Sequence, residues 1–330
     1  MKFGPVPVAQ AAGAVLAHSV HAGALRLKKG HLLTEAETAA LGAAGMDEVI
    51  VARIEPGDVA EDAAADRLAR ALVPEGTGLR LGRAATGRVN VHAEGPGVVA
   101  VDAARINAVN GVHPAITVAT VARWQRTDAR HMVATVKIIP YAVPEAALAM
   151  ACEVGQGALA LRTVTRRRVV LIQTTVDEGE DGEKGQRVTA ERVERLGAAL
   201  APKRLVPHRI APLAEELARA LPEADALLIL TGSATSDEND VAPAALRRAG
   251  GVVFHFGMPV DPGNLLFYGD LQGVPVIGLP GCARSPALNG ADWVLERILC
   301  GVPVTPADIT GMGVGGLLKE IPQRGRLREG

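Results

Sequence analysis

The chain has 330 residues, of which 48% are hydrophobic, and this is enough for two or three domains with cores of their own. A formal net charge of −1 and an aromatic content of 2% argue against a nucleic-acid partner. Three cysteines without CxxC spacing suggest neither a disulfide framework nor a zinc site, and no run reaches the roughly 18 apolar residues of a membrane span. We therefore expect a cytoplasmic protein that binds neither nucleic acid nor membranes.

Residues 1–76 have the pattern of a self-contained α/β segment. Thr34 and Glu37 have the spacing of a capping box, in which each side chain bonds the other residue's exposed amide, so a helix is predicted to begin there. Residues 48–53 predict a strand because they are rich in β-branched residues. Asp58 with Glu61 repeats the start signal and predicts a second helix that ends before Pro74.

Residues 77–160 change to short β-branched segments bounded by glycine and proline, which predicts a small β-rich domain. We expect this domain to serve packing or subunit contact rather than chemistry. At the other end of the chain, residues 303–330 are rich in glycine and charge and predict a tail or a linker.

Residues 161–302 alternate apolar strands with helices, which predicts a three-layer α/β/α domain with a mostly parallel sheet. Two short apolar runs, 226–230 and 274–279, each end at a glycine-containing turn. In an open sheet of this kind, ligands bind beyond the carboxyl ends of the strands, and the first turns of the following helices favour anions. Both turns are therefore predicted to face one ligand crevice.

The turn after the first run offers backbone N–H groups and hydroxyls that can hold a phosphate. These candidate binding residues are Thr231, Gly232, Ser233, Thr235 and Ser236. Asp237 and Asp240 follow at a helix start, where carboxylates commonly act as caps. Two carboxylates beside a phosphate also repel the ligand unless a divalent cation bridges them, so the alternative is a catalytic, Mg²⁺-binding role for both.

Two later turns are predicted to line the same crevice, although both could simply break structure. Their candidate binding residues are Pro262, Gly263, Asn264, Pro280, Gly281, Arg284 and Ser285. Arg284 carries the most specific chemistry, because a guanidinium can form two parallel hydrogen bonds with a phosphate. A salt bridge at the start of a helix is the alternative for this arginine.

The order of these turns resembles the molybdopterin-binding domain shared by molybdopterin molybdenumtransferases, the gephyrin group and molybdopterin adenylyltransferases. Residues 231–241, TGSATSDENDV, are similar to that family's TGG-type turn with its polar loop and aspartate, and DVAPAAL is similar to DVTPEAL. Residues 261–264, DPGN, stand at the PGK-type turn, and residues 279–286, LPGCARSP, stand at the LPGNP-type turn. The resemblance covers about residues 169–301.

The resemblance implies molybdopterin as ligand or substrate, Mg²⁺ at Asp237 and Asp240, and a homo-oligomer. The layout is most similar to a bacterial subgroup that is sometimes fused to a cytidylyltransferase-like domain. One implied function is Mg²⁺-dependent processing of molybdopterin or its adenylylated form by a molybdenumtransferase-like enzyme. The alternative is a carrier that passes molybdopterin or the finished cofactor to a nucleotidyltransferase domain or a molybdoenzyme. A nucleotide or sugar-phosphate binder is a weaker alternative, because fold does not determine function.

Two departures from the family pattern separate these functions. The PGK-type turn of the molybdenumtransferases carries two lysines, and here Asp261 and Asn264 occupy those positions. Cys282 replaces the asparagine of the LPGN turn, although Arg284 supplies a positive charge nearby. The missing lysines favour the carrier, whereas Asp237 and Asp240 favour chemistry.

Overall fold

The structure is a computed structural model that describes residues 1–177, 179 and 181–318. The chain forms two compact units. The first comprises Met1–Glu94, Val99–Arg123 and Ala129–Leu161, and the second comprises Gly95–Val98, Trp124–Asp128 and the described residues from Arg162 onward. Within the described residues, no helix is both long and apolar enough to cross a membrane.

The strands up to residue 162 are short. They are β1 (Lys2–Pro7), β2 (Val15–Leu16), β3 (Val20–Ala22), β4 (Leu25–Leu27), β5 (Glu48–Arg53), β6 (Asp58–Ala60), β7 (Leu79–Leu81), β8 (Arg88–Ala93), β9 (Gly97–Val101), β10 (Ile116–Thr120), β11 (Arg126–Thr127), β12 (Met132–Ile138), β13 (Ala142–Pro144) and β14 (Leu159–Arg162). The helices in this part are α1 (Glu35–Ala43), α2 (Glu61–Leu72), α3 (Ala103–Val112) and α4 (Glu145–Gly155).

The first unit contains two hydrophobic cores. Apolar residues between positions 8 and 51 form one core beneath the three-stranded sheet β1-β5-β2. The other core packs α2, α3 and α4 with the antiparallel sheet β10-β12-β8-β7, whose strands alternate buried and less buried residues. The region predicted to be β-rich therefore also contains α3, which begins where the Asp102 carboxylate accepts the N–H of Arg105 at 3.1 Å.

The two predicted helix starts in this unit have different outcomes. The capping box at Thr34 and Glu37 is confirmed, because the Glu37 carboxylate accepts the Thr34 N–H at 2.9 Å and the Thr34 hydroxyl accepts the Glu37 N–H at 3.3 Å. The second predicted helix is present as α2 and ends before Pro74, but it begins at Glu61 and the start at Asp58 is wrong. Asp58 begins strand β6, and its carboxylate pairs with the amino terminus of Met1 at 2.6 Å and accepts the Glu55 N–H at 2.8 Å.

The second unit is built around one large sheet. Its strands are β15 (Arg168–Thr175), β16 (Ala199–Leu200), β17 (Arg204–Pro207), β18 (Ala226–Leu230), β19 (Val252–Met258), β20 (Asn264–Leu271) and β21 (Val274–Leu279). Its helices are α5 (Glu183–Glu194), α6 (Ile210–Ala220), α7 (Val241–Arg248), α8 (Gly290–Leu299) and α9 (Pro306–Thr310).

The sheet has the strand order β16-β15-β18-β21-β20-β19, with β17 also paired to β15. β15, β16, β17, β18 and β21 run parallel, β20 pairs antiparallel with β21, and β19 pairs antiparallel with β20. Val169 and Leu171 of β15 face a core shared with α5 and α8, and Val170 and Ile172 face a second core shared with α6 and α7. The α/β class and the mostly parallel, three-layer arrangement predicted from the sequence are confirmed.

Two features of this unit were not predicted. β20 was not recognised, because its first residue was assigned to a turn. Residues after 302 were predicted to form a tail, yet Val304, Ile309 and Met312 are buried in the core that contains α8. Residues 319–330 of that predicted tail lie outside the described residues.

The register of the sheet brings three strand ends close together: β18 and β21 end at one level, and β15 continues two residues further, to Thr175. Gln173 of β15 is opposite Leu230 of β18, and Leu230 is opposite Leu279 of β21. β20 runs antiparallel to β21, so its first residue, Asn264, lies at the same edge of the sheet. The turns after β18 and β21 and the turn before β20 therefore share one edge, as the sequence predicted.

Replacing Gly278 with alanine tests the packing of the central strand β21. A Cβ at Gly278 would lie 1.9 Å from Cε1 of Phe267, a fully buried ring. We expect Gly278→Ala to lower the free energy of unfolding in urea by about 2 kcal/mol or more, because overpacking strains a closely packed core. Gly281→Ala is the control, since nothing lies within 4 Å of a Cβ there. Equal stabilities of the two variants would contradict this packing.

Glu296 makes the stability of the second unit depend on pH. This buried residue of α8 lies 2.7 Å from Arg195 and 3.7 Å from Arg126, but desolvation dominates and raises the pKa of its carboxyl to about 7. The folded chain therefore keeps this proton to a higher pH than the unfolded chain, whose reference pKa is 4.5. The free energy of unfolding should fall as pH rises between these two values and level off above about pH 7.

The test is the pH dependence of urea unfolding. Glu296→Gln should remove a slope of at most about 1.4 kcal/mol per pH unit in that window. Glu194→Gln, on the exposed side of α5, is the control and should keep the wild-type slope. A Glu296→Gln variant with the same slope as the wild type would contradict the assignment.

Candidate functional site

A cavity of about 260 Å³ opens at the carboxyl ends of β15 and β17. Its polar lining includes Gln173, Thr174, Thr175, Lys184 and Arg284. Glycines of the loop before α5 complete the wall. Glu178 and Glu180 of the same loop lie outside the described residues.

The turn after β18 is bonded directly to the end of β15. The N–H of Gly232 donates to the Thr174 hydroxyl at 2.9 Å, and a Cβ at Gly232 would lie 2.7 Å from the Thr174 carbonyl oxygen. Only glycine permits this close approach. The same Thr174 hydroxyl lies 2.8 Å from Nδ1 of His208. One hydroxyl near the end of β15 therefore contacts the segments that follow β17 and β18.

The candidate hydroxyls of that turn divide into two groups. Thr231 and Thr235 are buried, and their hydroxyl oxygens lie 3.3 Å from each other. Ser233 and Ser236 are exposed, and the Ser236 hydroxyl makes only a long bond of 3.4 Å to the Ala234 carbonyl. The serines are therefore the hydroxyls of this turn that are more accessible to a ligand.

Asp240 caps α7 in this structure, and Asp237 stabilises a turn in the loop before that helix. The two oxygens of Asp240 accept the N–H groups of Val241 at 2.6 Å and Ser236 at 2.9 Å. Asp237 accepts the Asn239 N–H at 2.8 Å. Among the described residues, no group of three or more histidine, cysteine, aspartate or glutamate side chains could hold a metal ion. These residues do not form a ready metal site, and a Mg²⁺ ion here would need oxygens from a ligand and water.

The turn after β21 is fixed by a buried arginine. Arg192 of α5 donates through Nε to Asp292 at 2.5 Å, through Nη1 to the Ala283 carbonyl at 2.8 Å, and through Nη2 to the Ser285 carbonyl at 2.6 Å. Asp292 in turn accepts the Asn289 N–H at 2.9 Å, which caps α8. One guanidinium therefore holds the whole segment between β21 and α8.

Arg284 connects this segment to the turn after β18. Its Nη2 donates to the Thr231 carbonyl at 2.8 Å, and its side chain lines the cavity. Pro280 and Gly281 lead directly from β21 into this segment, and Ser285 follows Arg284 with its hydroxyl accepting the Ala287 N–H at 3.3 Å.

The turn at residues 261–264 reaches the same edge but does not line the cavity. Asp261 is occupied by the chain after α9: its N–H donates to the Gly316 carbonyl at 2.7 Å, and its carboxylate accepts the Leu318 N–H at 3.0 Å. Pro262 and Gly263 are exposed. Asn264 is buried, and its side-chain oxygen accepts the Leu266 N–H at 3.2 Å. A side chain at position 264 therefore belongs to the core.

Four residues of the site were not predicted from the sequence: Thr174, His208, Lys184 and Arg192. Thr174 and His208 could have been identified from the sequence, because each lies at or just after the carboxyl end of a strand of the parallel sheet, where ligands bind. Lys184 and Arg192 had no such signal in the sequence. Both lie in a helix whose start the sequence did not identify, and Arg192 acts through carbonyl groups about ninety residues later in the chain.

Removing the Arg192 guanidinium should destabilise the second unit strongly. Arg192→Leu would leave the buried Asp292 carboxylate with only a 3.8 Å contact to Arg195 as its cationic partner, so we expect a loss of about 3–5 kcal/mol in urea unfolding. Arg187→Leu, on the exposed side of the same helix with a 3.8 Å contact to Glu191, is the control and should cost less than about 1 kcal/mol. Similar losses in both variants would contradict the role of Arg192.

A family described as a domain of unknown function (DUF8806) matches residues 5–53. Comparison with curated proteins finds no match. The chain is similar to the solved structure of the molybdopterin biosynthesis MoeA protein from Pyrococcus horikoshii, at 14% identity over 91% of this chain and 75% of that chain, with a TM-score of 0.32.

The chain is also similar to the molybdopterin biosynthesis enzyme MoaB from Thermus thermophilus, at 19% identity over 44% of this chain and 97% of that chain, with a TM-score of 0.30. A molybdenum cofactor biosynthesis protein from Pyrococcus furiosus is 14% identical over 94% of this chain and 65% of that chain, with a TM-score of 0.26. These identities and TM-scores are too low to transfer a fold or an activity to this chain.

Proposed function

We propose that the chain binds molybdopterin, or its adenylylated form, in the crevice at the carboxyl edge of the large sheet, and acts in molybdenum cofactor assembly. The observation that carries this proposal is the bond from Gly232 N–H to the Thr174 hydroxyl at 2.9 Å. This bond joins the TGG-type turn to Thr174 in the cavity wall. Arg284, in the LPGNP-type turn, donates to the Thr231 carbonyl of the same TGG-type turn. The turns at residues 231–236 and 279–286 are therefore bonded to each other beside one polar cavity, which Arg284 lines, whereas the turn at residues 261–264 does not line it.

The size of the cavity limits which part of the ligand it holds. At about 260 Å³ it is near the lower end of small-molecule pockets, which hold most of a drug-sized ligand at roughly 300–1,000 Å³. Its polar lining includes two threonines, a lysine and an arginine, together with Gln173 and Asp181. We expect it to hold the phosphate end, with the pterin ring extending along the edge of the sheet.

The geometry favours a carrier over a metal-dependent enzyme. Asp240 uses both oxygens to cap α7 and its own loop, and Asp261 and Asn264 replace the lysines of the PGK-type turn. In the carrier proposal, a homo-oligomer of this chain passes molybdopterin or the finished cofactor to a nucleotidyltransferase or a molybdoenzyme. The second candidate is a molybdenumtransferase-like reaction, in which a ligand phosphate would complete a Mg²⁺ site at Asp237 and Asp240.

Titration with molybdopterin, with and without Mg²⁺, separates these candidates. The carrier predicts binding in both conditions. Asp240→Asn should bind nearly like the wild type, because the asparagine side-chain oxygen can keep one of the two N–H bonds and asparagine is as good a helix cap as aspartate. Asp240→Ala should bind more weakly, and its free energy of unfolding should fall by about 1 kcal/mol, because it leaves two backbone N–H groups without their acceptor.

The enzyme predicts a different set of results. Binding would require Mg²⁺, and Asp240→Asn would lose it although its cap is retained. The absence of molybdopterin binding in either condition, by a wild-type chain that unfolds cooperatively, would refute the proposed function as a whole.

A further inference from the structure

Lys184 and Arg284 face the same cavity from different segments of the second unit. Lys184 lies in the first turn of α5, and Arg284 lies in the segment between β21 and α8. Within the part of the chain that the structure describes, neither forms an ion pair with a carboxylate; the Arg284 bond described above goes to a neutral carbonyl. Both cations are therefore available to an anionic ligand.

The charges around the cavity favour an anion. Asp181 also lines it, but one of its oxygens accepts the Glu183 N–H at 2.9 Å at the start of α5. The Glu183 carboxylate is paired with Lys203. Among the described side chains of the cavity wall, two cations stand against one carboxylate.

The first turn of α5 is pressed against the end of β15. Gly182 has a φ of +66°, and Nε2 of the buried Gln173 donates to its carbonyl at 2.9 Å. A Cβ at Gly185 would lie 2.2 Å from Oε1 of Gln173. The two glycines therefore let the helix start, with its exposed N–H groups, approach the cavity beside Lys184, and this adds to the attraction for an anion.

Arg284 is held in place before any ligand arrives. Arg192 bonds the carbonyl groups of Ala283 and Ser285, the residues on either side of Arg284. The bond from Arg284 to the Thr231 carbonyl uses one guanidinium nitrogen and leaves other N–H groups to face the cavity. A fixed guanidinium loses little side-chain freedom when it binds, so it is suited to a doubly charged oxyanion.

We propose that Lys184 and Arg284 form a subsite for a doubly charged tetrahedral oxyanion, the terminal phosphate of the ligand, and that it binds without a divalent cation. The inference rests on the proposed function and deepens it by assigning which end of the ligand enters the cavity. It also explains how a chain without the two lysines of the PGK-type turn neutralises an anionic ligand. The positive charge lies at positions 184 and 284 instead of 261 and 264.

Calorimetric titration of the full chain with inorganic phosphate, in the presence of EDTA, tests this subsite. Lys184→Gln should weaken phosphate binding roughly tenfold, as expected for loss of one charge-assisted hydrogen bond, and Arg284→Gln should do the same or more. Arg187→Gln is the control, since Arg187 lies on the next turn of α5 and does not line the cavity. Lys184 is exposed, so its variant should fold, as thermal unfolding can check.

Equal phosphate affinity in Lys184→Gln, Arg187→Gln and the wild type would overturn the subsite, and so would binding that appears only with Mg²⁺. Molybdate binding more tightly than phosphate would overturn the assignment to a ligand phosphate. Molybdopterin binding that phosphate does not compete with would refute the subsite and leave the proposed function intact. Phosphate binding that is weakened in Lys184→Gln, without any molybdopterin binding, would support the subsite and refute the proposed function.

Discussion

The parallel pairing of β15, β18 and β21 is the constraint on which the candidate site depends. Gln173, Leu230 and Leu279 are aligned across the three strands; the chain leaves the sheet at this level after β18 and β21, and two residues later after β15. The side chains of these strands alternate between two cores, and a slip of one residue would turn buried residues toward the wrong core. The position of the crevice is therefore set by the same burial that stabilises the sheet.

Polar contacts to the backbone then fix the loops at this edge. Thr174 receives the N–H of Gly232, Arg192 bonds the carbonyl groups around Arg284, and Asp240 caps its own loop and α7. Such contacts determine the positions of backbone groups before a ligand binds, which lowers the entropic cost of binding. They also occupy the aspartate that a metal-dependent reaction would need, and this is why the geometry favours a carrier.

Local patterns predicted the strands and part of the site. The strand at 226–230 and the strand at 274–279 have the predicted bounds, because a short apolar run that ends at a glycine-containing turn is typical of a buried central strand. Asn264 was expected to contact the ligand, but it is the first residue of β20 and its side chain is buried. The proline and glycine just before it indicated a turn, so the strand was not predicted. Contacts such as Thr174 with Gly232 join residues far apart in the chain, and no local pattern encodes them.

Amide hydrogen exchange of the full chain, with and without molybdopterin, tests the central claim most directly, because it reports where the ligand binds. The account predicts slower exchange in residues 182–186, 231–236 and 281–285, which face or support the crevice, and unchanged exchange in α2 of the first unit. Unchanged exchange in all three crevice segments, or protection confined to the first unit, would contradict it.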